Sequence, residues 1–260
     1  MADTSFVADA SPVHQQLVAA GNPRVLVMTA TYNEIENLPA LIAQIHQFLP
    51  AADVLIVDDN SPDGTGKWGD TAAAADTRIH VMHRAGKQGL GTAIIAGMQW
   101  AIARGYDYVI NVDADFSHHP RYLPDLVAGM APATGEPIDV MIGSRYVAGG
   151  GVVGWPLRRH LMSRGVNLYA RWLMWLSPRD CSGGYRCYRV SKLAELDFSR
   201  MLSRGYSFQE EILWRLRKLG ARFGETPITF ADREKGVSKI NNREALNALG
   251  IIARLGLWGG

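Results

Sequence analysis

Two short acidic clusters carry the chemistry that can be read from this 260-residue chain. Asp113-Ala114-Asp115 places two carboxylates two residues apart, and in an extended tip both reach one hard cation, directly or through water. Mg2+ and Mn2+ both favour such oxygen ligands and are commonly completed by phosphate oxygens. Ser117 adds a hydroxyl that can join them or hold a water. The second cluster is Asp58-Asp59. Each follows an apolar run, Asp53–Val57 in one case and Tyr106–Val112 in the other. Ligands of open α/β sheets bind outside the carboxyl ends of the strands. One acid after a strand is often only a turn or a helix cap; two clusters in one sheet point to a site.

Other residues give weaker signals. His118 and His119 read as a loop before Pro120, which starts a helix, rather than as ligands. The turn Gly86-Lys87-Gln88-Gly89-Leu90-Gly91 opens a helix and could cradle a phosphate. It is incomplete as a dinucleotide fingerprint, because Ile94 stands at the last glycine position, and it lacks the ending of a Walker loop. Arg84 and Lys87 beside it either pair with an anion or stay solvated. Asp232 to Lys239 reads as an exposed charged loop. No nucleophile–base pair stands out.

The elements that must position these residues alternate. Strands are expected at Arg24–Thr29, Asp53–Val57, Ile79–His83, Tyr106–Val112 and Val140–Gly143. Helices are expected over Glu36–Phe48 (with Asn33 as a cap), 66–75, from the glycine turn to about Arg104, and near 121–131. This order implies an α/β fold with a doubly wound, mainly parallel sheet. The second half carries amphipathic helices at Arg159–Leu176, Phe208–Leu219 and Arg243–Trp258, a turn-rich stretch at Ser177–Tyr188 and a strand at Phe223–Phe230.

Hydrophobic residues make up 47% of the chain, enough for a sizeable core. A net charge of +2 excludes a whole-molecule polyanion binder, and no nucleic-acid partner is expected. Charge is uneven, however. From Arg158 to Lys192 seven arginines and one lysine face a single acid, Asp180. Arginine in excess of lysine suits phosphate, whose oxygens fit the guanidinium fork. Cys181 and Cys187 read as free thiols in a reducing compartment. Without a secretory leader or a bilayer-length apolar run, the expectation is a cytoplasmic protein, at most peripheral to a membrane. Tyr169, Trp172 and Trp175 suit such an interface, or else they pack onto the sheet; Leu246, Leu249, Ile252, Leu255 and Trp258 raise the same question.

The order of segments resembles the GT-A-type family 2 glycosyltransferases, and among them the dolichol-phosphate (polyprenyl-phosphate) mannose synthases. The matching stretches are Thr31-Tyr32-Asn33-Glu34, Val57-Asp58-Asp59-Asn60-Ser61-Pro62-Asp63-Gly64, Gly86-Lys87-Gln88-Gly89-Leu90-Gly91 and Asp113-Ala114-Asp115-Phe116-Ser117-His118-His119-Pro120. Gly143-Ser144-Arg145-Tyr146, Ser182-Gly183-Gly184-Tyr185-Arg186, Tyr206-Ser207-Phe208-Gln209-Glu210-Glu211 and the stretch from Phe230 to Lys239 complete the set. They cover about residues 24–240. The resemblance implies a GT-A domain at 23–240, preceded by a flexible arm (1–22) and followed by an amphipathic helix (241–260).

The resemblance also implies roles. Thr31, Tyr32, Glu34, Asp58, Asp59 and Lys87 would surround the donor nucleotide, together with Asp113, Ala114, Asp115, Arg233 and Lys239. Asp113, Asp115 and Ser117 would bind Mg2+ or Mn2+. Arg145, Arg159, Ser163 and Arg233 would gather the acceptor phosphate, so that Asp113, Asp115, Arg145 and Arg233 carry catalysis. The implied reaction is inverting transfer of mannose from GDP-mannose to a polyprenyl or dolichyl monophosphate at the cytoplasmic face of a membrane, with small membrane subunits as candidate partners. Three departures stand out: Ala30 where proline is usual, Gln88 where leucine is common, and Gly184 in place of phenylalanine. Alternatives are another donor such as UDP-glucose, another acceptor, or a non-catalytic nucleotide-sugar binder. A nicotinamide dehydrogenase fails on the incomplete glycine fingerprint.

Overall fold

The computed structural model describes residues 23–232 and 242–259. Its centre is a seven-stranded sheet. The strands in chain order are β1 (Val25–Thr31), β2 (Asp53–Asp58), β3 (Ile79–His83), β4 (Tyr108–Asn111), β5 (Val140–Ser144), β7 (Arg186–Arg189) and β8 (Phe223–Pro227). Their spatial order is β3-β2-β1-β4-β7-β5-β8. All neighbours run parallel except β7, which is antiparallel to both β4 and β5. A small second sheet pairs β6 (Gly151–Val153) with β9 (Thr229–Ala231).

The central strands β1, β2 and β4 are largely apolar on both faces because both faces are covered. Leu26, Met28, Leu55 and Val57 point into one core, with α3 (Leu90–Ala103), α5 (Leu157–Met174), α7 (Phe208–Lys218) and α8 (Asn242–Trp258). Val27, Val54, Ile56 and Ile110 point into the other, with α1 (Leu38–Phe48) and α4 (Leu123–Ala128). Each fully buried Leu, Ile or Val contributes about 1.5–3 kcal/mol relative to exposure, so the central strands are the most firmly held part of the molecule. α2 (Thr65–Ala75) covers β2 and β3, with Gly69 close against Val81 and Ile56.

Several expectations shift. Asn33 does not cap α1. It has φ +60°, its N–H donates to Ser61 Oγ, and the helix begins at Leu38 with Pro39 in its first turn. The expected strand Phe223–Phe230 is two strands: the chain leaves the main sheet at Pro227 and pairs again in the small one. The stretch read as turns runs at its end into β7, which wedges between β4 and β5. α6 (Val190–Leu193) and short 3-10 turns at Pro120–Tyr122 and Phe198–Arg200 complete the elements.

Candidate active site

β1, β2 and β4 end side by side, and the loops that leave them converge. Asp58 is buried and organises rather than exposes. Its Oδ1 accepts from Thr31 Oγ1 (3.0 Å) and Ser61 Oγ (2.5 Å), and its Oδ2 accepts from Ser61 N (3.0 Å). Thr31 and Asp58 therefore tie the β1 and β2 tips together. Asp59, also buried, accepts from Arg84 Nη1 at 2.6 Å. Burial pushes its carboxyl above the usual range, and the Arg84 charge pulls the other way. Of the two readings open for Arg84, the geometry selects pairing, with a protein carboxylate. Its Nη2 also donates to Thr92 Oγ1 (2.6 Å).

Tyr32 and Lys87 meet at the rim, with Lys87 Nζ 4.8 Å from the ring centre. Glu34 opens the turn into α1: its N–H donates to Thr65 Oγ1, and its carboxylate accepts from Asn37 Nδ2. The glycine turn between them is not an open phosphate cradle. Gly91 N–H donates to the Arg204 carbonyl (3.0 Å), and a Cβ at Gly91 would stand 2.9 Å from Phe208 Cβ. The missing side chains let the 204–208 segment close onto α3.

The acidic triplet leaves β4 through a tight turn. Phe116 has φ +59°, a left-handed conformation that is unusual for a bulky residue. This turn folds Ser117 back onto Asp115, so that Ser117 N donates to Asp115 Oδ1 at 3.0 Å and its hydroxyl makes a shorter bond to the same oxygen. Ala114 is buried, while Asp113 is about one-third exposed. His118 is 3% exposed, with Nδ1 3.4 Å from Asp113 Oδ2. The two atoms lie in contact without a hydrogen bond, and Nδ1 makes none among the described residues. Nor do the described residues hold any cluster of three or more His, Cys, Asp or Glu side chains fit to cage a metal.

Arg145 follows β5 and is almost wholly buried. Nε and Nη2 donate to Asp180 Oδ2 and Oδ1, each at 2.7 Å, and Nη2 also reaches Ser182 Oγ (2.9 Å). Burial opposes the ionisation of Asp180, but the Arg145 charge overcomes it and holds the carboxyl below the usual range. Among the described residues Nη1 makes no hydrogen bond. The guanidinium lies 5.2–5.7 Å from the rings of Tyr146, Trp155 and Phe230. Tyr146 carries the cluster onto α5, its hydroxyl 2.7 Å from Ser163 Oγ. One turn earlier Arg159 donates to Asp232 (3.0 Å) and stacks over Trp155 at 4.2 Å. Arg145, Arg159 and Ser163 are thus brought to one place; Arg233 and Lys239 lie outside the described residues.

The arginine-rich stretch divides. Arg186 is fully buried and donates to the Gln209 and Cys181 carbonyls, and Arg189 donates to the Met130 and Ile138 carbonyls. These two brace the sheet. Both cysteines are buried free thiols. The helix aromatics divide as well. Tyr169 packs against the core, whereas Trp172 and Trp175 are 75% and 77% exposed. In α8, Ile252 and Leu255 are core and Trp258 is exposed; the Leu246 side chain lies outside the described residues. No helix among the described residues is long and apolar enough to cross a membrane.

Asp180, Gln209 and Glu210 are buried as well. Sequence alone marks Gln209 and Glu210 only as part of a matching stretch, without a role in the site, and Asp180 only as the lone acid in the arginine run.

The profile of glycosyl transferase family 2 matches residues 26–197. This chain belongs to that family. The undecaprenyl-phosphate mannosyltransferase of Micrococcus luteus is 45% identical over 90% of this chain and 94% of its own length. The polyprenol monophosphomannose synthase of Mycolicibacterium smegmatis is 44% identical over 91% of this chain and 88% of its own. Among solved structures, glucosyl-3-phosphoglycerate synthase of Mycobacterium tuberculosis with UDP superposes with a TM-score of 0.66 at 18% identity, covering 93% of this chain and 84% of that one. Its complex with Mg2+ and UDP gives 0.63 at 19%, over 94% and 80%. At that identity the likeness speaks for the fold, the GT-A arrangement.

Proposed function

We propose that this glycosyltransferase moves mannose from GDP-mannose to a polyprenyl or dolichyl-type monophosphate, with inversion, giving a β-mannosyl lipid phosphate and GDP. The observation that carries the reading is the joining of two unlike clusters at one end of the sheet. The Asp113–Asp115 turn has the groups for a donor diphosphate. Arg145, just past β5, and Arg159 and Ser163, on a helix whose outer face is apolar, have the groups for a second phosphate. Relatives at 44–45% identity named for polyprenyl-phosphate mannosyl transfer support the choice of sugar and acceptor.

In this reading Tyr32, Glu34, Asp59 and Lys87 line the nucleoside side, with Thr31 and Asp58 fixing the loop beneath. Asp113 and Asp115, the latter held by Ser117, would hold Mg2+ or Mn2+. When bound, the ion supplies a Lewis acid that neutralises charge on the departing diphosphate. The acceptor monophosphate is largely dianionic near neutral pH, with a second pKa of about 6, so its oxygen needs no strong base. It attacks the anomeric carbon as the bond to GDP breaks. What the chain must supply is cationic positioning, because two anions are pressed together. Arg145 and Arg159 supply it, with the Ser163 hydroxyl beside them, and Arg233 and Lys239 would add charge.

The apolar face of α5 suits a lipid acceptor. Leu157, Leu161, Leu168 and Trp172 are each more than 60% exposed and recur at helical spacing on one side, with Arg164 in the same row, and the exposed Trp175 follows at the left-handed C-terminal cap. Such a face lies at a bilayer surface, with arginines toward anionic headgroups. We assign the protein to the cytoplasmic face as a peripheral enzyme, with small membrane subunits as candidate partners.

The test is donor choice. Purified protein, polyprenyl phosphate and Mn2+ are incubated with labelled GDP-mannose or labelled UDP-glucose, and the lipid product is analysed by NMR. Mannose in β linkage is expected. Transfer of glucose instead, or an α-linked product, would overturn the reading.

A further inference from the structure

The donor-side turn and the acceptor-side arginines share one wall. Phe230, on β9, is 8% exposed. One side of its ring meets His118 at 5.2 Å, edge to face, and another meets Trp155 at 5.2 Å. His118 is clamped from behind by Tyr185, also at 5.2 Å, and presents Nδ1 to Asp113. Trp155 lies 4.2 Å under Arg159 and 5.5 Å from Arg145. The backbone repeats the link, as Ala231 N donates to Ser117 O and Asp232 N donates to Val153 O, two residues before Trp155. A ring contact between tightly packed partners has few alternative placements, so Phe230 holds each neighbour in place on its own side.

We infer that Phe230 is a positioning residue that fixes the Asp113 side and the Arg145–Arg159 side in one block: His118 backs Asp113, and Trp155 seats the two guanidiniums that Asp180 and Asp232 pair with. In this assignment Phe230 acts through His118 and Trp155, not on a substrate. Its purpose is register, since displacement needs the attacking phosphate oxygen and the anomeric carbon within a few tenths of an ångström of a productive separation. Outer-shell groups hydrogen-bonded to a metal's ligands typically change its affinity by about 10–100-fold when lost, and a packing contact such as that of His118 with Asp113 is expected at the low end. This inference rests on the assignment of Asp113 to the donor and of Arg145 and Arg159 to the acceptor.

Three variants of the full chain test it: His118→Phe, Trp155→Leu and Phe230→Leu. Two readouts are used. One is titration calorimetry of Mn2+ in the presence of GDP, without turnover. The other is the KM for a short-chain prenyl monophosphate. Thermal melting screens for folding. The expected pattern is selective. His118→Phe weakens Mn2+ binding about tenfold and leaves the acceptor KM alone. Trp155→Leu raises the acceptor KM and leaves Mn2+ binding alone. Phe230→Leu moves both. A folded Phe230→Leu that moves neither, or only one, overturns the inference. Should that variant not fold, the two others decide: equal effects of each on both readouts would also overturn it. Asp113→Asn separates this from failure of the site assignment. If Asp113→Asn leaves Mn2+ binding intact, the assignment itself is wrong; if it abolishes binding while the wall variants do nothing, only the wall is wrong.

Discussion

Arg145 and Asp180 form a two-point ion pair, Nε to Oδ2 and Nη2 to Oδ1, both at 2.7 Å, with Asp180 wholly buried and Arg145 nearly so. Asp180 accepts further from the Arg145 and Gly183 backbone N–H groups, at 3.0 Å each. The pair locks the β5 tip to the 180–184 loop and points the remaining guanidinium edge in a fixed direction. In water an arginine sweeps many rotamers; here that freedom is already lost before a phosphate arrives.

Removing Asp180 should therefore cost fold and function together. Asp180→Asn leaves a buried arginine without its counter-charge, and a loss of about 3–5 kcal/mol is expected by urea denaturation. Tyr146→Phe is the milder companion. It removes the hydroxyl 2.7 Å from Ser163 and should raise the acceptor KM with little change in stability.

Asp115→Asn keeps shape and removes charge. The expected result is a loss of kcat of about 100-fold or more, with melting temperature held within a few degrees. Ser117→Ala should lose less, because it frees Asp115 to rotate but leaves its carboxylate in place. Steady-state rates at saturating Mn2+ check both.

Glu210 sets a pH dependence of stability. It is buried on the first turn of α7, where burial pushes its carboxyl up to about 7, partly offset by the charges of Arg186 and Arg145, while Asp180 adds to the rise. The folded state thus binds a proton that the unfolded chain releases near 4.5. The protonated form favours folding, so the contribution is full below about 4.5 and is lost as pH rises to about 7, a change of order 3 kcal/mol. Histidines with lowered pKa, His46 and His119, act in the opposite sense near neutrality, so the difference between variants is the clean measure. Glu210→Gln should flatten the wild-type slope between pH 5 and 8 in denaturation series.

The exposed face of α5 gives a membrane prediction. Trp172→Ser with Trp175→Ser removes two rings that support no core, so the melting temperature should hold. Binding to vesicles of anionic phospholipid, measured by co-sedimentation, should weaken by roughly an order of magnitude. Equal binding would move the lipid surface elsewhere.

How much of this could be read beforehand follows from which interactions are local. The parallel strands were legible because burial on both faces writes continuous runs such as Val54-Leu55-Ile56-Val57. The acidic strand ends were legible because parallel topology places all such ends together. β7 was hidden, since four residues after a turn-rich stretch carry no period, and its antiparallel insertion depends on neighbours far away in sequence. The partners of charged residues were hidden for the same reason. Nothing local tells that Arg84 belongs to Asp59, or Arg145 to Asp180, or that Arg186 is buried while Arg159 is not. The glycine turn misled because a turn that binds phosphate and one that admits a neighbouring chain need the same residue. Gly91 serves Arg204 and Phe208.

The most direct measurement is transfer of label from GDP-mannose to polyprenyl phosphate in a purified system, with Mn2+ or with excess chelator, counted in the organic phase. Metal-dependent labelling of the lipid, lost in Asp115→Asn, is the predicted result. No lipid label with metal present, or equal label with chelator, would contradict the assignment of Asp113 and Asp115 and the reaction built on it.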